Sequence, residues 1–338
     1  MNTKEAIAKV SLKQDLTSEE MTEVVKDIMT GQATPAQIGG FLVGLRMKGE
    51  TINEIVAATN VMRQLALPIS ISEKHLVDIV GTGADQAHTF NISTAASFVV
   101  AAAGGTVAKH GSYASSSHCG SADILQALGV KIDMPPEKTA DCIQKIGIGF
   151  LLATQYHLAT QHVRGPRKEV GMNTLFNLLG PLTNPTHPKN YLMGVYDRNL
   201  LSFFANALKL LGSEHALIVH SEDGLDEISI SAKTHVAELH HGKITTYEIK
   251  PEDYQLKRAD LSLIQTTDLE HSLALFRQVF DNVPGPARDI VLLNAGAAIY
   301  AANLTGSIAE GIEKAKQALA TGTAKKKLED LIQFGKTI

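Results

Sequence analysis

The chain has 338 residues, which suggests about two domains and allows a large buried core. Its 31 Lys and Arg residues and 35 Asp and Glu residues give a net charge of −4, which argues against a protein whose main task is to bind nucleic-acid phosphates. Two cysteines, Cys119 and Cys142, are too few for a disulfide framework, and we find neither a signal core nor an apolar run of ~20 residues, so we expect a cytoplasmic protein without a membrane span.

The first 67 residues have the pattern of short helices joined by tight turns. Three threonines each precede an acid or an amide by three positions, which is the spacing of a capping box at a helix start. The pairs are Thr17–Glu20, Thr34–Gln37 and Thr51–Glu54. Gly31 and Gly49 suit the ends of the first two of these helices. We therefore expect residues 1–67 to form a small all-helical domain, completed by a segment around 160–185.

From residue 76 the pattern changes to an alternation of strand, loop and helix, which is typical of a parallel α/β sheet. The segments 76–80, 106–110, 191–196 and 215–220 are predicted strands, and 236–249 is a predicted hairpin that turns near Gly242. Predicted helices lie at 95–105, 122–129, 268–280, 287–303 and 306–320. The sequence thus predicts a larger α/β domain over residues 76–338 with a central, mostly parallel sheet.

The loop at 81–94 follows the first predicted strand and leads into a helix. Glycines allow a ligand to approach the backbone closely, and the N–H groups at a helix start favour a phosphate. The loop offers Gly81, Gly83, Asp85, Asn91, Ser93 and Thr94. Neither the P-loop spacing nor the GxGxxG spacing is present. The alternative is a plain glycine turn with a helix cap.

The loop at 111–121 follows the second predicted strand, whose end carries Lys109 and His110. Its hydroxyl residues are Ser112, Ser115, Ser116 and Ser117. Because ligands bind beyond the carboxyl ends of the strands in an open parallel sheet, both loops are expected to face one pocket for a polyanion. The alternative is a serine-rich surface loop, and His110 alone suits a packing role equally well.

Two further segments carry candidate ligand groups. The adjacent carboxylates Asp226 and Glu227 suit Mg²⁺, which bridges substrate phosphates, although a solvated acidic turn is the alternative. The segment at 155–171 carries Arg164, Arg167 and Lys168, and an arginine can bind a carboxylate through two parallel hydrogen bonds.

Taken together, these segments resemble the anthranilate phosphoribosyltransferase family over nearly the whole chain. The matching segments are AQIGGFLVGLRMKGE (36–50), DIVGTGAD (78–85), TFNIST (89–94), VAKHG (107–111), SSSHCGSADILQALGV (115–130), FNLLGPLTNP (176–185) and GLDEIS (224–229). The resemblance implies a helical domain, an α/β domain, an active site between them and a homodimer formed through the helical domain. It also implies 5-phosphoribosyl-1-pyrophosphate and anthranilate as substrates, with Mg²⁺ as cofactor.

The resemblance also implies roles for individual residues. Lys109, Asp226 and Glu227 would be catalytic, and Ser93, Asp226 and Glu227 would hold the metal. Gly81, Ser112 and Arg167 would contact anthranilate. The phosphoribosyl donor would be contacted by Gly81, Ala84, Asp85, Thr89, Asn91, Ile92, Ser93, Thr94, Lys109, Ser117 and Ser121.

The chain departs from the family pattern in both loops. Ala84 and Gln86 stand where the family has glycines, and Ser112 and Tyr113 stand where it has an Asn and an Arg. The alternatives are therefore a relative with a different aromatic acceptor, a non-catalytic relative that binds nucleic acid, and a pyrimidine nucleoside phosphorylase. The acidic pair and the Arg167 segment favour the transferase over the phosphorylase, and the net charge argues against nucleic acid as a partner.

Overall fold

A computed structural model describes residues 1–114 and 119–338 of the chain. Its N-terminal part consists of the helices α1 (Thr3–Ser11), α2 (Ser18–Met29), α3 (Pro35–Lys48) and α4 (Ile52–Leu65). The three predicted capping boxes start α2, α3 and α4. A fourth box, formed by Asn2 and Glu5, starts α1, which the sequence analysis did not resolve as a separate helix.

The rest of the chain is built on a seven-stranded sheet in the order β3-β2-β1-β4-β5-β6-β7. The strands are β1 (Leu76–Gly81), β2 (Thr106–Gly111), β3 (Ile148–Leu152), β4 (Asn190–Gly194), β5 (His215–Ser221), β6 (Thr234–His240) and β7 (Lys243–Ile249). The first five strands pair in parallel, and β6 and β7 form the antiparallel hairpin predicted near Gly242. The fold class, a small helical domain with a mostly parallel α/β domain, is confirmed.

Helices cover both faces of this sheet. They are α5 (Ile92–Ala102), α6 (Ser121–Ala127), α7 (Pro136–Ile146), α8 (Ala153–Tyr156), α9 (Gln161–Val170), α10 (Leu175–Leu179), α11 (Leu200–Leu210), α12 (Leu269–Phe280), α13 (Pro286–Ala301), α14 (Ile308–Ala320) and α15 (Thr323–Lys336). On one face Val77 and Ile79 belong to the core that α5 and α13 build. On the other face Tyr191 and Ile218 share a core with the N-terminal helices.

The N-terminal helices share that core with a later stretch of chain. Val163, Leu175 and Leu178 are buried in the same cluster as residues of α1 to α4. Arg63 of α4 also donates from Nε to the carbonyl of Leu182 at 2.8 Å and from Nη2 to the hydroxyl of Tyr191 at 3.3 Å. Apolar burial and directed hydrogen bonds thus join the helical part to β4.

None of the helices described in residues 1–114 and 119–338 is both long and apolar enough to cross a bilayer. Both cysteines, Cys119 and Cys142, are buried thiols.

Candidate active site

A cavity of about 540 Å³ lies at the carboxyl ends of β1 and β2. Both glycine- and serine-containing loops reach it, as do the segment from α8 to Thr183 and the acidic loop after β5. It brings together most of the residues implied by the sequence: Gly81, Ala84, Asn91, Ser93, Thr94, Lys109, Ser112, Ser121, Arg167, Asp226 and Glu227. Ser117 lies outside the described residues.

Three residues implied in donor binding do not line this cavity. The side chain of Ile92 is packed in the core, and Thr89 forms an isolated bridge with Gln265. Asp85 is not among the lining residues, but its carboxyl is close enough to that of Asp226 to raise the pKa of Asp226. The Ile92 side chain is therefore used for packing, and the backbone of Thr89 is paired with that of Gln265.

The first loop leaves β1 in an unusual backbone conformation. Gly83 and Ala84 both have φ near +64°, and Gln86 and His88 have φ of +55° and +52°. The left-handed region is easy for glycine and unfavourable for residues with a Cβ. The loop is held in place by the carboxylate of Asp226, which accepts a hydrogen bond from the backbone N–H of Gly83 at 2.8 Å.

Lys109 projects from β2 into the base of the cavity and is 4% exposed. Its Nζ donates to the carbonyl of Ile79 at 2.7 Å and to Oγ of Ser93 at 3.2 Å. Burial lowers the pKa of Lys109, and the negative charges of Asp78, Glu227 and Asp226 oppose that shift. The ammonium group is thus fixed in position by two partners and surrounded by carboxylates.

Asp226 and Glu227 are half-buried side chains at the cavity wall. Removal from water raises the pKa of both carboxyls, and repulsion from neighbouring carboxylates, Asp85 for Asp226 and Asp226 for Glu227, adds to the shift. Lys109 supplies one positive charge to this group of three acids. The excess of hard oxygen donors, together with the Ser93 hydroxyl, fits a divalent cation such as Mg²⁺.

Two glycines make room for the acidic loop. Gly81 and Gly194 are paired neighbours at the ends of β1 and β4. A Cβ on Gly81 would collide with the carboxylate of Asp226, and one on Gly194 would collide with its main-chain carbonyl. No sequence motif marks Gly194, because its contact with Asp226 joins segments that are far apart in the chain.

Asn91 precedes α5 without capping it through its side chain. Its Nδ2 donates to the carbonyl of Cys119 at 3.0 Å, and its Oδ1 accepts from the Ser272 hydroxyl at 3.0 Å. One of the two amide hydrogens of Asn91 thus ties the first loop to the second, while Asn91 also lines the cavity.

The opposite end of the cavity is formed by Arg167 on α9 and by residues around Phe176. The Arg167 guanidinium lies 5.2 Å from the centre of the Phe176 ring. Burial alone lowers its pKa, and no carboxylate of the described residues forms an ion pair with it. A half-buried guanidinium that has no ion-pair partner among the described residues is suited to bind the carboxylate of a ligand.

His110 and His157 form a buried pair in the wall between these two ends, with ring centres 5.2 Å apart. Burial lowers the pKa of His110 to about 3 and that of His157 to about 4, so both rings are neutral at pH 7. Nε2 of His110 has no hydrogen-bond partner within the described parts of the chain. The sequence leaves a packing role and a catalytic role equally open for His110, and no motif marks His157.

Comparison with known proteins identifies relatives of this arrangement. A family described as "Glycosyl transferase family, a/b domain" matches residues 73–325, and one described as "Glycosyl transferase family, helical bundle domain" matches residues 4–66. The chain is 54% identical over 334 residues to anthranilate phosphoribosyltransferase of Thioalkalivibrio sulfidiphilus, and the match covers 99% of both chains. It is 54% identical over 318 residues to anthranilate phosphoribosyltransferase of Methylococcus capsulatus, covering 94% of this chain and 93% of that one.

Solved structures show the same likeness. The crystal structure of anthranilate phosphoribosyltransferase from Thermus thermophilus matches with a TM-score of 0.93 and 42% identity, over 98% of this chain and 99% of that chain. The Saccharomyces cerevisiae enzyme in complex with PRPP and Mg matches with a TM-score of 0.91 and 26% identity, over 99% of this chain and 98% of that chain.

Proposed function

This chain belongs to the anthranilate phosphoribosyltransferase family, and from that premise we propose how its own residues perform the reaction. The enzyme transfers the phosphoribosyl group of 5-phosphoribosyl-1-pyrophosphate to anthranilate, which releases pyrophosphate in tryptophan biosynthesis. The observation that carries the proposal is one cavity with a lysine and paired carboxylates at one end and an arginine without an ion-pair partner among the described residues at the other. Such a cavity suits a polyanionic donor and a carboxylate-bearing acceptor at the same time.

The donor end is assigned to Lys109, Ser93 and the acidic pair. When bound, Mg²⁺ neutralises charge on the pyrophosphate as it leaves. Asp226, Glu227 and the Ser93 hydroxyl are the groups that would hold it. Lys109 is already oriented by Ile79 and Ser93, so its ammonium group can stabilise the developing negative charge without reorganising. Gly81, Ala84, Thr94 and Ser121 complete the proposed wall around the donor.

The acceptor end is assigned to Arg167, Ser112 and Gly81. The guanidinium of Arg167 would bind the anthranilate carboxylate, which directs the amine of the substrate toward ribose C1. An aromatic amine is neutral at pH 7, so its lone pair is available for attack without a strong general base. Holding the two substrates together in one cavity supplies the proximity contribution to the rate.

We further propose that residues 1–67, with the segment around 160–185, form one domain and residues 76–338 the other, and that two chains associate through the first. In support, α1 and α3 run side by side in the same direction, since Gly40 faces Ile7 and Gly44 faces Val10. Their adjacent C-terminal ends expose Leu12 (70%) and Met47 (73%) to solvent.

The two buried thiols support a reducing, cytoplasmic location.

The test is a transfer assay that follows anthranilate loss and pyrophosphate release in parallel. We expect the wild type to need both substrates and Mg²⁺. Asp226→Asn combined with Glu227→Gln should abolish the Mg²⁺ dependence together with most activity, because neutral amides are poor ligands for a hard cation. The matched control changes a solvent-exposed acidic pair on α14, Glu310→Gln with Glu313→Gln, and should keep the wild-type Mg²⁺ titration.

Two arms of the same assay test the alternatives. Phosphate-dependent release of a base from uridine or thymidine would indicate a phosphorylase. Pyrophosphate release with another aromatic amine, but not with anthranilate, would indicate a different acceptor. Equal activity in the double variant and the wild type would reject the assigned metal ligands.

A further inference from the structure

Asp78 is a fully buried carboxylate in β1, outside the lining of the cavity. Its Oδ2 accepts a hydrogen bond from Nδ2 of Asn184 at 2.8 Å, and its Oδ1 accepts one from the backbone N–H of His110 at 3.4 Å. Burying a carboxylate is costly unless it is hydrogen-bonded. Its negative charge helps to keep Lys109 protonated, but this does not explain why Asp78 is hydrogen-bonded to Asn184 and to the backbone of His110.

The pairing of the strands shows what the carboxylate does. β1 pairs with β2 through two residue pairs, Leu76–Thr106 and Val77–Val107, whereas it pairs with β4 through five. Beyond Val77, side chains join the two strands. Asp78 accepts a hydrogen bond from the backbone N–H of His110, and Nζ of Lys109 donates one to the carbonyl of Ile79. The cavity therefore opens where ordinary strand pairing of β1 with β2 has stopped.

Asn184 extends the connection to the chain segment 180–184. Its Nδ2 also donates to the carbonyl of Ala108 at 2.8 Å. Its Oδ1 accepts from the backbone N–H of Thr186 at 3.0 Å and from the Thr186 hydroxyl at 2.8 Å. Gly180, Pro181 and Thr183, just before Asn184, line the cavity. The fully buried pair of Asp78 and Asn184 thus ties β1 and β2 to a wall of the acceptor end.

We propose that Asp78, through Asn184 and the backbone of His110, is a positioning residue that sets the shape of the acceptor end of the cavity. This inference rests on the proposed function, since it assigns the acceptor to that end. Asp78 touches neither substrate nor the reacting atoms, so its effect is expected on acceptor binding more than on donor binding.

The first variant is Asp78→Asn. A carboxylate accepts at both oxygens, whereas an amide accepts at one oxygen and donates at the other end. In this variant the amide NH₂ must face either Asn184 or the His110 N–H, and both of these are donors. We expect KM for anthranilate to rise by roughly 2- to 30-fold and to rise more than KM for the donor, which feels the lost Asp78 charge only through Lys109.

Two further variants make the test specific. The exchange Asp78→Asn with Asn184→Asp restores a donor–acceptor pair and an acceptor for His110. It also replaces the donor to the Ala108 carbonyl by a carboxylate oxygen, so we expect it to recover only a small part of the loss. Asn190→Ala removes a buried hydrogen bond of 2.9 Å to the carbonyl of Leu76, at the other end of the same strand. This control should lower stability while leaving both KM values unchanged.

The outcomes separate this inference from the proposed function. A wild type without transfer activity would reject the proposed function itself. An active wild type with an unchanged anthranilate KM in Asp78→Asn, or with equal changes in both KM values, would reject the positioning role alone. If Asp78→Asn does not fold, Thr186→Val removes one bond to Asn184, and an unchanged anthranilate KM in that variant would also reject the role.

Discussion

Lys109 is a buried cation held at a fixed position, and its removal tests the donor end of the site. Lys109→Met keeps most of the side-chain volume but loses the ammonium group. We expect a loss of ~10²-fold in turnover with weaker donor binding, because a preoriented electrostatic contact is lost. Steady-state kinetics with varied donor measure both.

The control for this variant is Lys168→Met, which changes an exposed lysine on α9 outside the cavity lining. It should have wild-type kinetics. Near-normal turnover in Lys109→Met would show that Lys109 does not take part in donor binding or catalysis.

The buried histidine pair should make the protein sensitive to acid. The folded-state pKa of His157 is lowered to about 4, so the unfolded chain binds a proton more readily than the folded chain once the pH falls below about 6.5. The contribution of neutral His157 to the free energy of unfolding is therefore complete above pH 6.5 and is lost as the pH falls toward 4. His157→Gln cannot titrate and should lose less stability over this range.

The measurement is urea denaturation of both proteins between pH 7.5 and pH 5. The difference in free energy of unfolding between His157→Gln and the wild type should change by up to about 1.4 kcal/mol per pH unit below pH 6.5. His162→Gln, at an exposed position on α9, is the control and should follow the wild type. Parallel pH curves for His157→Gln and the wild type would mean that His157 is not held neutral by burial.

At the scale of elements, the first loop stores backbone strain. Ala84 has φ of +64° at a position where the family pattern has glycine. Ala84→Gly should raise the free energy of unfolding by roughly 0.5–1 kcal/mol, because the relieved strain exceeds the entropy that glycine adds to the unfolded chain. Chemical denaturation of the ligand-free protein measures this change.

Gly83 offers the matched control in the same loop. It also has φ of +64°, and an added Cβ would meet no atom within 4 Å, so Gly83→Ala isolates the backbone effect. It should lower the free energy of unfolding by about 1 kcal/mol. A gain in Gly83→Ala, or a loss in Ala84→Gly, would contradict the strain argument.

We expect the second loop to affect how well the acceptor is held. Ser112 and Tyr113 both line the cavity, and Oγ of Ser112 donates to the carbonyl of Tyr113 at 3.0 Å. Ser112→Asn with Tyr113→Arg adds an amide and a guanidinium at these positions. If the present side chains leave out a hydrogen bond to a charged substrate, kcat/KM for anthranilate should rise by roughly ten- to a hundredfold, with donor KM little changed.

Competition kinetics between anthranilate and other aromatic amines complete this test. An unchanged specificity in the double variant would mean that the loop binds anthranilate equally well in its present form. The single variants alone are insufficient, because neighbouring residues need not act additively.

Local patterns in the sequence were sufficient to predict the elements that local chemistry determines. Capping boxes predicted the starts of α2, α3 and α4, because a cap involves residues three positions apart. β3 was missed because its five residues are all buried and show no alternation. Motifs point to Lys109, Asp226 and Arg167, which the structure brings to one cavity. The contacts of Gly194, of His157 and of Asp78 with Asn184 join segments that are far apart in the chain, so local patterns do not reveal them.

At the scale of the whole molecule, the exposed ends of α1 and α3 test the proposed dimer. Met47→Glu places a charge in the proposed apolar interface and should weaken dimerisation at least tenfold, as measured by light scattering over a range of concentrations. Leu263→Glu changes a residue of similar exposure (58%) in the other part of the chain and should leave the mass unchanged. A dimer that withstands Met47→Glu, or a monomeric wild type, would reject this interface.

The shared core of the N-terminal helices also bears on the order in which the protein is made. Val163, Leu175 and Leu178 pack against helices that end at Leu65, so about a hundred residues separate the two halves of this core. During synthesis the N-terminal helices leave the ribosome before their packing partners have been translated. The apolar surface that these later residues cover stays exposed until they have been synthesised, which makes this interval the stage at which chaperone binding and aggregation compete most directly with folding.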